Sequence, residues 1–254
     1  MSPIEKAIPT NLRLLIILEE FAKAGVPLTP TEVNEKIGLP KPTIHRLFSI
    51  LEEEGFIQMD IDSRKYAPAP RLRALSSGIL SSHRIRTARQ SILKKLTRTI
   101  GETCNIAMPD RDEMVYIERV ETHWPLRIQL PVGTRIPLYC AASGKLYLST
   151  IRTNALMHYL ASTDLSNRAL NTISNPDSLT FELKQIRKQG YAADNQEFMT
   201  GMIALAVPIL DTNGRMMATL SFHAPLVRVS LEKALTYLEP LQTAARDIAE
   251  LVEH

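Results

Sequence analysis

Apolar residues near the start of the chain recur at helical spacing. Leu14, Leu15, Leu18, Phe21 and Ala22 fall three and four apart, which predicts a helix over 11–24 that Gly25 ends. Val33 and Ile37 form the inner face of a second helix, in the run from Thr29 to Gly38. Thr29 can cap it, Glu32 completes a capping box, Pro30 is tolerated in the first turn and Gly38 supplies the stop. A third helix runs from about Pro42 to Glu54, with Ile44, Leu47, Phe48 and Leu51 on one face. Pro42, His45, Arg46 and Ser49 lie opposite, and Thr43 sits at the margin. After Gly55 the period shortens, and FIQMDIDSRKYAPA predicts two short strands turning near Asp60–Arg64. Three helices and a hairpin are the plan of a winged helix-turn-helix.

Residues 71–100 read as helical again, with Leu72, Leu75 and Ile79 in one apolar series and Ile92, Leu93, Leu96 and Ile100 in another. Beyond Gly101 the pattern is mixed. TCNIAMP and EMVYIERV predict paired strands around Asp110–Asp112, and PLRIQLPVG a third strand. PLYCAASGKLYLST reads as a loop entering a helix, and further helices are expected around 151–161 and 179–189. Residues 190–195, 202–210 and 215–224 read as strands, the last two joined at Asn213–Gly214. Ser230 to Val252 reads as one amphipathic helix kinked at Pro240. The expected fold is α+β: an N-terminal winged helix-turn-helix over 1–70, a helical connector over 71–100, and a mixed-sheet domain over 101–254 with helices on one side.

Composition narrows the class. The 254 residues suffice for two domains, and 22% charged with 44% hydrophobic residues is an ordinary globular balance. No apolar run reaches the roughly 18 residues of a membrane span, and the N-terminus lacks a signal-peptide pattern. With Cys104 and Cys140 as the only cysteines, a disulfide framework is not expected and a reducing cytoplasm fits. There is no CxxC, HExxH or Cys/His cluster, so neither metal nor cofactor is expected. Residues 1–100 hold 16 Lys+Arg against 10 Asp+Glu, whereas residues 101–254 hold 14 against 17. A basic first part on a mildly acidic second part suits a module facing nucleic acid.

The third helix is the natural reader of double-stranded DNA, because an α-helix fits the major groove and its N-terminal residues meet base edges first. Arg46 can grip a guanine, Thr43 and His45 can touch bases or phosphates, and Lys41 lies near a phosphate. Arg64 and Lys65 at the hairpin can reach the flanking backbone or minor groove, and Arg13 can add a phosphate contact. Any one of these, taken singly, can equally be a solvated surface residue.

The chain resembles the IclR family of transcription regulators from about residue 10 to the end. In the first domain the resemblance rests on GLPKPTIHRLFSILEEEGFI and KYAPAPRLRAL. In the second it rests on GETCNIA, PVGTRIPLYCAASGKLYLS, GYAADNQE, Pro208 within GMIALAVPILD, and LSFHAP. It implies a GAF-like effector domain, a homodimer or dimer of dimers on a palindromic operator, and control of a catabolic operon. The family's effector lies against the loop entering the PLYCAASGK helix. Its amide donors match Ala142 and Ser143, its acidic position Asp194, a hydroxyl position Ser221, and its apolar wall Ile128, Ile136 and Met202. A helix N-terminus is a ready carboxylate site. Ala204 stands where keto-acid-binding members carry Cys, and His223 where they carry a second Ser. The departures point to a larger organic acid, aromatic acids included, with His223 adding bulk and a charge that can switch near pH 6–7. Each of these residues also has a plain structural use: Ile128, Ile136 and Met202 as core, Ser221 and His223 as local hydrogen-bonders, Asp194 as the cap of a turn.

An enzyme is the lesser reading. CAASGK would be a phosphate loop only with Gly at 139 and Ser or Thr at 146, where Tyr139 and Leu146 stand. Ser143 lies in no G-x-S-x-G, and the histidines are scattered. The sequence therefore reads as a regulator, by default a repressor, that binds a small organic acid without turnover. The alternative is a DNA-binding architectural or interaction protein with no effector.

Overall fold

Capping chemistry sets the first helices. In the computed structural model, which describes residues 8–60, 64–80 and 83–253, Thr29 Oγ1 accepts from the Glu32 amide at 3.2 Å and Glu32 accepts from the Thr29 amide at 2.7 Å. Both halves of the box thus open helix α2 (Pro30–Ile37), and Gly38 closes it with φ at 72°. α1 (Arg13–Ala24) precedes it and α3 (Lys41–Glu53) follows. Between α2 and α3 the Asn34 carboxamide clamps the turn: Nδ2 donates to the Leu39 carbonyl at 2.8 Å and Oδ1 accepts from its amide at 2.9 Å. The three helices close over Ile17, Phe21, Val33, Ile44, Leu47, Phe48 and Leu51. Strands β1 (Ile57–Met59) and β2 (Tyr66–Pro68) pair antiparallel as the wing, and Leu28 adds a bridge to Tyr66. Residues 61–63 of the predicted wing turn lie outside the described residues. α4 (Pro70–Leu80) ends this unit, since the chain divides into compact units Met1–Ser82 and His83–His254.

The second unit runs α5 (His83–Ile100), β3 (Thr103–Asp110), β4 (Glu113–Val120), β5 (Arg135–Pro137), α6 (Ala142–Thr150), α7 (Thr153–Ser162), α8 (Pro176–Gln189), β6 (Ala192–Asn195), β7 (Met202–Leu210), β8 (Met216–Pro225), α9 (Leu231–Leu235) and α10 (Leu238–Glu253). Its six strands form one sheet in the order β5-β4-β3-β8-β7-β6, every neighbour antiparallel. No described helix is long and apolar enough to cross a membrane.

Three expectations change. The strand expected over 125–133 is irregular; Gly133 and Thr134 exchange hydrogen bonds with Tyr116 of β4, and the regular pairing follows from Arg135. Pro125 and Pro131 cannot donate to a ladder, and side chains take the carbonyls instead: Arg119 binds those of Ile128 and Leu130. The C-terminal helix is not one kinked rod but α9 and α10, separated at Thr236–Tyr237. Pro240 lies in the first turn of α10, where no N–H is needed, so it does not kink the helix. Helices also cover both faces of the sheet rather than one. Ile106, Leu205, Leu220 and Phe222 pack with Leu93 of α5 and Leu241 of α10, whereas Ala107, Ala204 and Ala206 share a second core with Leu146 of α6 and Leu183 of α8.

Gly144 decides how closely α6 lies on its own entry loop. An added Cβ would sit 2.6 Å from the Pro137 carbonyl oxygen and closer still to the Leu138 backbone. Alanine is the better helix former by about 1 kcal/mol, but backbone atoms cannot rotate aside. Gly144→Ala is therefore expected to destabilise the protein by about 1–3 kcal/mol. Thermal unfolding checks this, and an unchanged melting temperature would contradict the close packing.

Candidate functional site

In the first unit, Ile44, Leu47, Phe48 and Leu51 bury one side of α3 and turn the other outward. Lys41, His45 and Arg46 are exposed on its first turns and Thr43 is half-buried. No side chain caps this helix; Pro42 has no N–H, and the amides of Thr43 and Ile44 donate to the Pro40 carbonyl at 2.8 and 3.1 Å. Arg64 is exposed on the wing with φ at 52°. The remaining two cations are engaged internally. Lys65 Nζ lies 2.6 Å from Glu32 Oε1, and Lys65 with Thr29 pulls the Glu32 carboxyl down to about 2. Arg13 Nε donates to the Ile8 carbonyl at 3.2 Å. The predicted DNA-contacting set thus separates into an exposed group on α3 and the wing tip, and two residues with hydrogen-bond partners inside the unit.

In the second unit, alternation along three central strands builds a polar floor. Thr103, Asn105 and Ala107 of β3, Ala204 and Ala206 of β7, and Thr219, Ser221 and His223 of β8 share the face toward α6. Registered neighbours form rows across the sheet. Arg119, Asn105, Ser221 and Ala206 make one row; Thr103, His223, Ala204 and Asp194 make the next. Four predicted residues, Asp194, Ala204, Ser221 and His223, therefore lie on one floor. Ile136 of β5 belongs to the same core, Ile128 is buried in the irregular segment, and Met202 is half-buried at the start of β7. Ala142 and Ser143 form the first turn of α6, both buried, and no side chain caps that helix. Its first amides have no acceptor within the helix.

The electrostatics differ from the sequence reading at His223. Its Nε2 lies 2.8 Å from the Tyr116 hydroxyl, and burial, with Arg119 nearby, pushes its pKa down to about 3. His223 is a neutral hydrogen-bonder at pH 7, not a switch near pH 6–7. Burial pushes the Asp194 carboxyl the other way, up to about 7, although the amides of Glu197 (2.7 Å) and Phe198 (3.2 Å) donate to it. Asp194 thus caps a turn and also faces the floor. Burial lifts both thiols, Cys104 and Cys140, to about 12, so neither is a ready nucleophile.

Four interior polar groups were not singled out from the sequence. Tyr116 is the partner of His223. Arg119 ties Asn105 Oδ1 at 3.2 Å to the carbonyls of Ile128 and Leu130. Lys145 is fully buried and meets Glu197 at 2.6 Å. Asn105 sits on the floor beside Ser221. The available signal was a polar residue at an inward position of a strand, as in TCNIAMP, and a Glu-Arg pair that must face opposite sides of EMVYIERV.

Comparison with known proteins places this architecture. Residues 12–60 match the sequence model of the IclR helix-turn-helix domain, and residues 77–250 match that of the bacterial transcriptional regulator IclR C-terminal domain. The chain belongs to the IclR family. A Cupriavidus necator protein named "Probable transcriptional regulator SauR" is 35% identical over 239 residues, covering 94% of this chain and 95% of that one. The Escherichia coli regulator KdgR is 30% identical over 236 residues, 93% of this chain and 88% of the relative. The crystal structure of the Thermotoga maritima IclR superposes with a TM-score of 0.63 at 31% identity, over 96% of this chain and 99% of that one. This IclR-family chain is accordingly a DNA-binding transcription regulator, with a helix-turn-helix unit and an effector-domain unit.

The raised Asp194 pKa has a defined sign. A proton held more tightly in the folded state stabilises below the unfolded value near 3.8, and that contribution is lost as pH rises through about 7. Asp194→Asn keeps the acceptor oxygen and removes the titration. The stability advantage of the variant over the parent is expected to grow between pH 4 and pH 8. Parallel denaturant midpoints across that range would instead place the carboxyl in contact with water.

Proposed function

We propose that this IclR-family regulator represses a catabolic operon in the cytoplasm and is released or retained on DNA by a small organic carboxylate, aromatic acids included. The observation that carries this reading is the uncapped, buried N-terminus of α6 above a floor of Asn105, Ser221, His223 and Asp194. Buried amides at an uncapped helix N-terminus favour an anion. The site is read as binding without turnover, as the family's regulators do, with the Nε2 of His223 taken by the Tyr116 hydroxyl at 2.8 Å. A homodimer or tetramer would present paired α3 helices to a palindromic operator, with Lys41, Thr43, His45, Arg46 and Arg64 as the DNA-facing set. Thermal shift of the full chain against keto, sugar and aromatic acids tests the ligand class. Indifference to all of them would favour an architectural DNA-binding protein.

The structure also offers a path from ligand to helix. Glu118 and Arg119 are successive residues of β4 and face opposite sides. Arg119 holds the floor and the 128–130 segment, while Glu118 is buried against Arg89 Nε (2.5 Å) and Gln90 Nε2 (3.3 Å) of α5. Ligand-driven displacement of β4 would move α5, the helix nearest in sequence to the DNA-binding unit. The ligand can shift DNA affinity only by its differential affinity for the two arrangements.

Two outcomes follow. Arg46→Ala is expected to weaken specific operator binding by about 1–3 kcal/mol if Arg46 grips a guanine; a gel shift with unchanged sequence preference would exclude that role. The volume-conserving double variant Arg89→Met with Glu118→Leu avoids leaving a buried charge unpaired. It is expected to keep its ligand-induced thermal shift and to lose most of the ligand's effect on DNA affinity, measured by fluorescence anisotropy. An intact ligand effect would rule out the β4–α5 path.

A further inference from the structure

Two buried polar atoms on the floor have no hydrogen-bond partner: Asn105 Nδ2 and Ser221 Oγ. Both residues are fully buried, and they face one another in register on β3 and β8. An unsatisfied buried donor is costly, so two side by side are an unusual concentration of unmet bonding. The orientation of the carboxamide is set by chemistry. Arg119 is a donor only and takes Asn105 Oδ1 at 3.2 Å, which leaves the NH2 group as the free end. Arg119 itself is spent on Glu121, Leu130 and Ile128, so it positions Asn105 and lends positive potential from the neighbouring strand. The rows of Tyr116 and His223 lie on either side of the Asn105–Ser221 row, and the hydrogen bond between those two rings crosses over it. The orphan donors therefore sit beneath a strap, out of water.

We propose that Asn105 is a specificity-determining ligand residue, which with Ser221 binds an acceptor oxygen of the effector separate from the carboxylate held at the α6 N-terminus. The effector is then a bifunctional acid, with a second oxygen-bearing group that accepts from an amide and a hydroxyl. The free Asn105 NH2 can only donate and the Ser221 hydroxyl can donate beside it, so an acceptor satisfies both at once. The loss of a polar contact at Ala204, one row away, moves the specifying contact from β7 to β3. The proposal rests on the carboxylate reading of the α6 terminus.

The test uses the full chain and paired acids of equal length, the C3 to C6 dicarboxylates against the corresponding monocarboxylates, with terephthalate against benzoate. Thermal shifts are read for the parent, Ser221→Ala and Asn105→Asp. The Asp variant keeps the oxygen that Arg119 holds and replaces the free donor by an acceptor. At least one diacid is expected to stabilise the parent more than its monoacid, with apparent affinities tenfold or more apart. Ser221→Ala should narrow that gap and Asn105→Asp should abolish it, each by weakening the diacid response more than the monoacid response. Ser221→Ala without ligand should melt no lower than the parent, because it removes only an unmet group; a purely structural Ser221 would melt lower. Diacids and monoacids acting alike, or a gap that survives both variants, overturns the subsite and leaves the carboxylate reading standing. Indifference to every acid overturns that reading, and this one with it.

Discussion

The second unit depends on strict alternation along β3, β7 and β8. One face, including Ile106, Leu205, Leu220 and Phe222, is apolar and packs with α5 and α10. The central positions between them hold Ala, Ser, Thr, Asn and His. A one-residue slip of any strand would exchange the two faces and bury Asn105, Ser221 or His223 in hydrocarbon, so the apolar face fixes the register of the polar one. Small side chains on the α6 side then do two things. Ala204 and Ala206 pack into the core shared with α6, and Gly144 lets that helix lie tightly on its entry loop.

Burying charge beside that floor is costly, and the structure meets the cost by pairing. Lys145 with Glu197, Arg89 with Glu118, and Arg228 with Glu102 each join segments distant in sequence, and each includes at least one nearly inaccessible partner. Pairs of this kind add little net stability compared with apolar replacements of similar volume. Their stronger effect is on placement, because a buried charge tolerates few geometries. The three pairs fix α6 to the β6–β7 turn, α5 to β4, and the segment after β8 to the start of β3. By contrast, Arg71–Glu54 lies in solvent and does far less to constrain the fold.

Much of this was legible in the residues. The three helices, the capping box at Thr29 and Glu32, and the paired strands of β3–β4 and β7–β8 follow from local periodicity, which acts over a few residues at a time. Misread elements share a different cause. The segment 125–133 has the apolar content of a strand, but a side chain eight or more residues earlier, Arg119, takes its carbonyls. Pro240 was read against a helix that starts earlier than α10 does, so a first-turn proline looked like an interior one. The charge state of His223 needed the burial supplied by β3, β4 and α6 together. Asn105 and Tyr116 were visible as letters, but only the register across three strands shows that they share a site with Ser221 and His223.

The protonation states of the floor bear on what can settle there. His223 is neutral, held by Tyr116, and Asp194 sits near the midpoint of its titration at neutral pH because burial offsets its two amide donors. A carboxylate arriving at the α6 terminus would add negative charge close to Asp194 and raise its pKa further, so binding and proton uptake at Asp194 would favour each other. Once protonated, Asp194 becomes a donor rather than a like charge. Together with the α6 amides, Asn105 and Ser221, it turns the floor into a surface of donors. On the proposed reading such a surface would favour an anion, with Arg119 held in its row by the carbonyls of Ile128 and Leu130. Preset donors would need little rearrangement on binding, which would leave ligand free energy available to displace β4 and, through Glu118 and Arg89, α5.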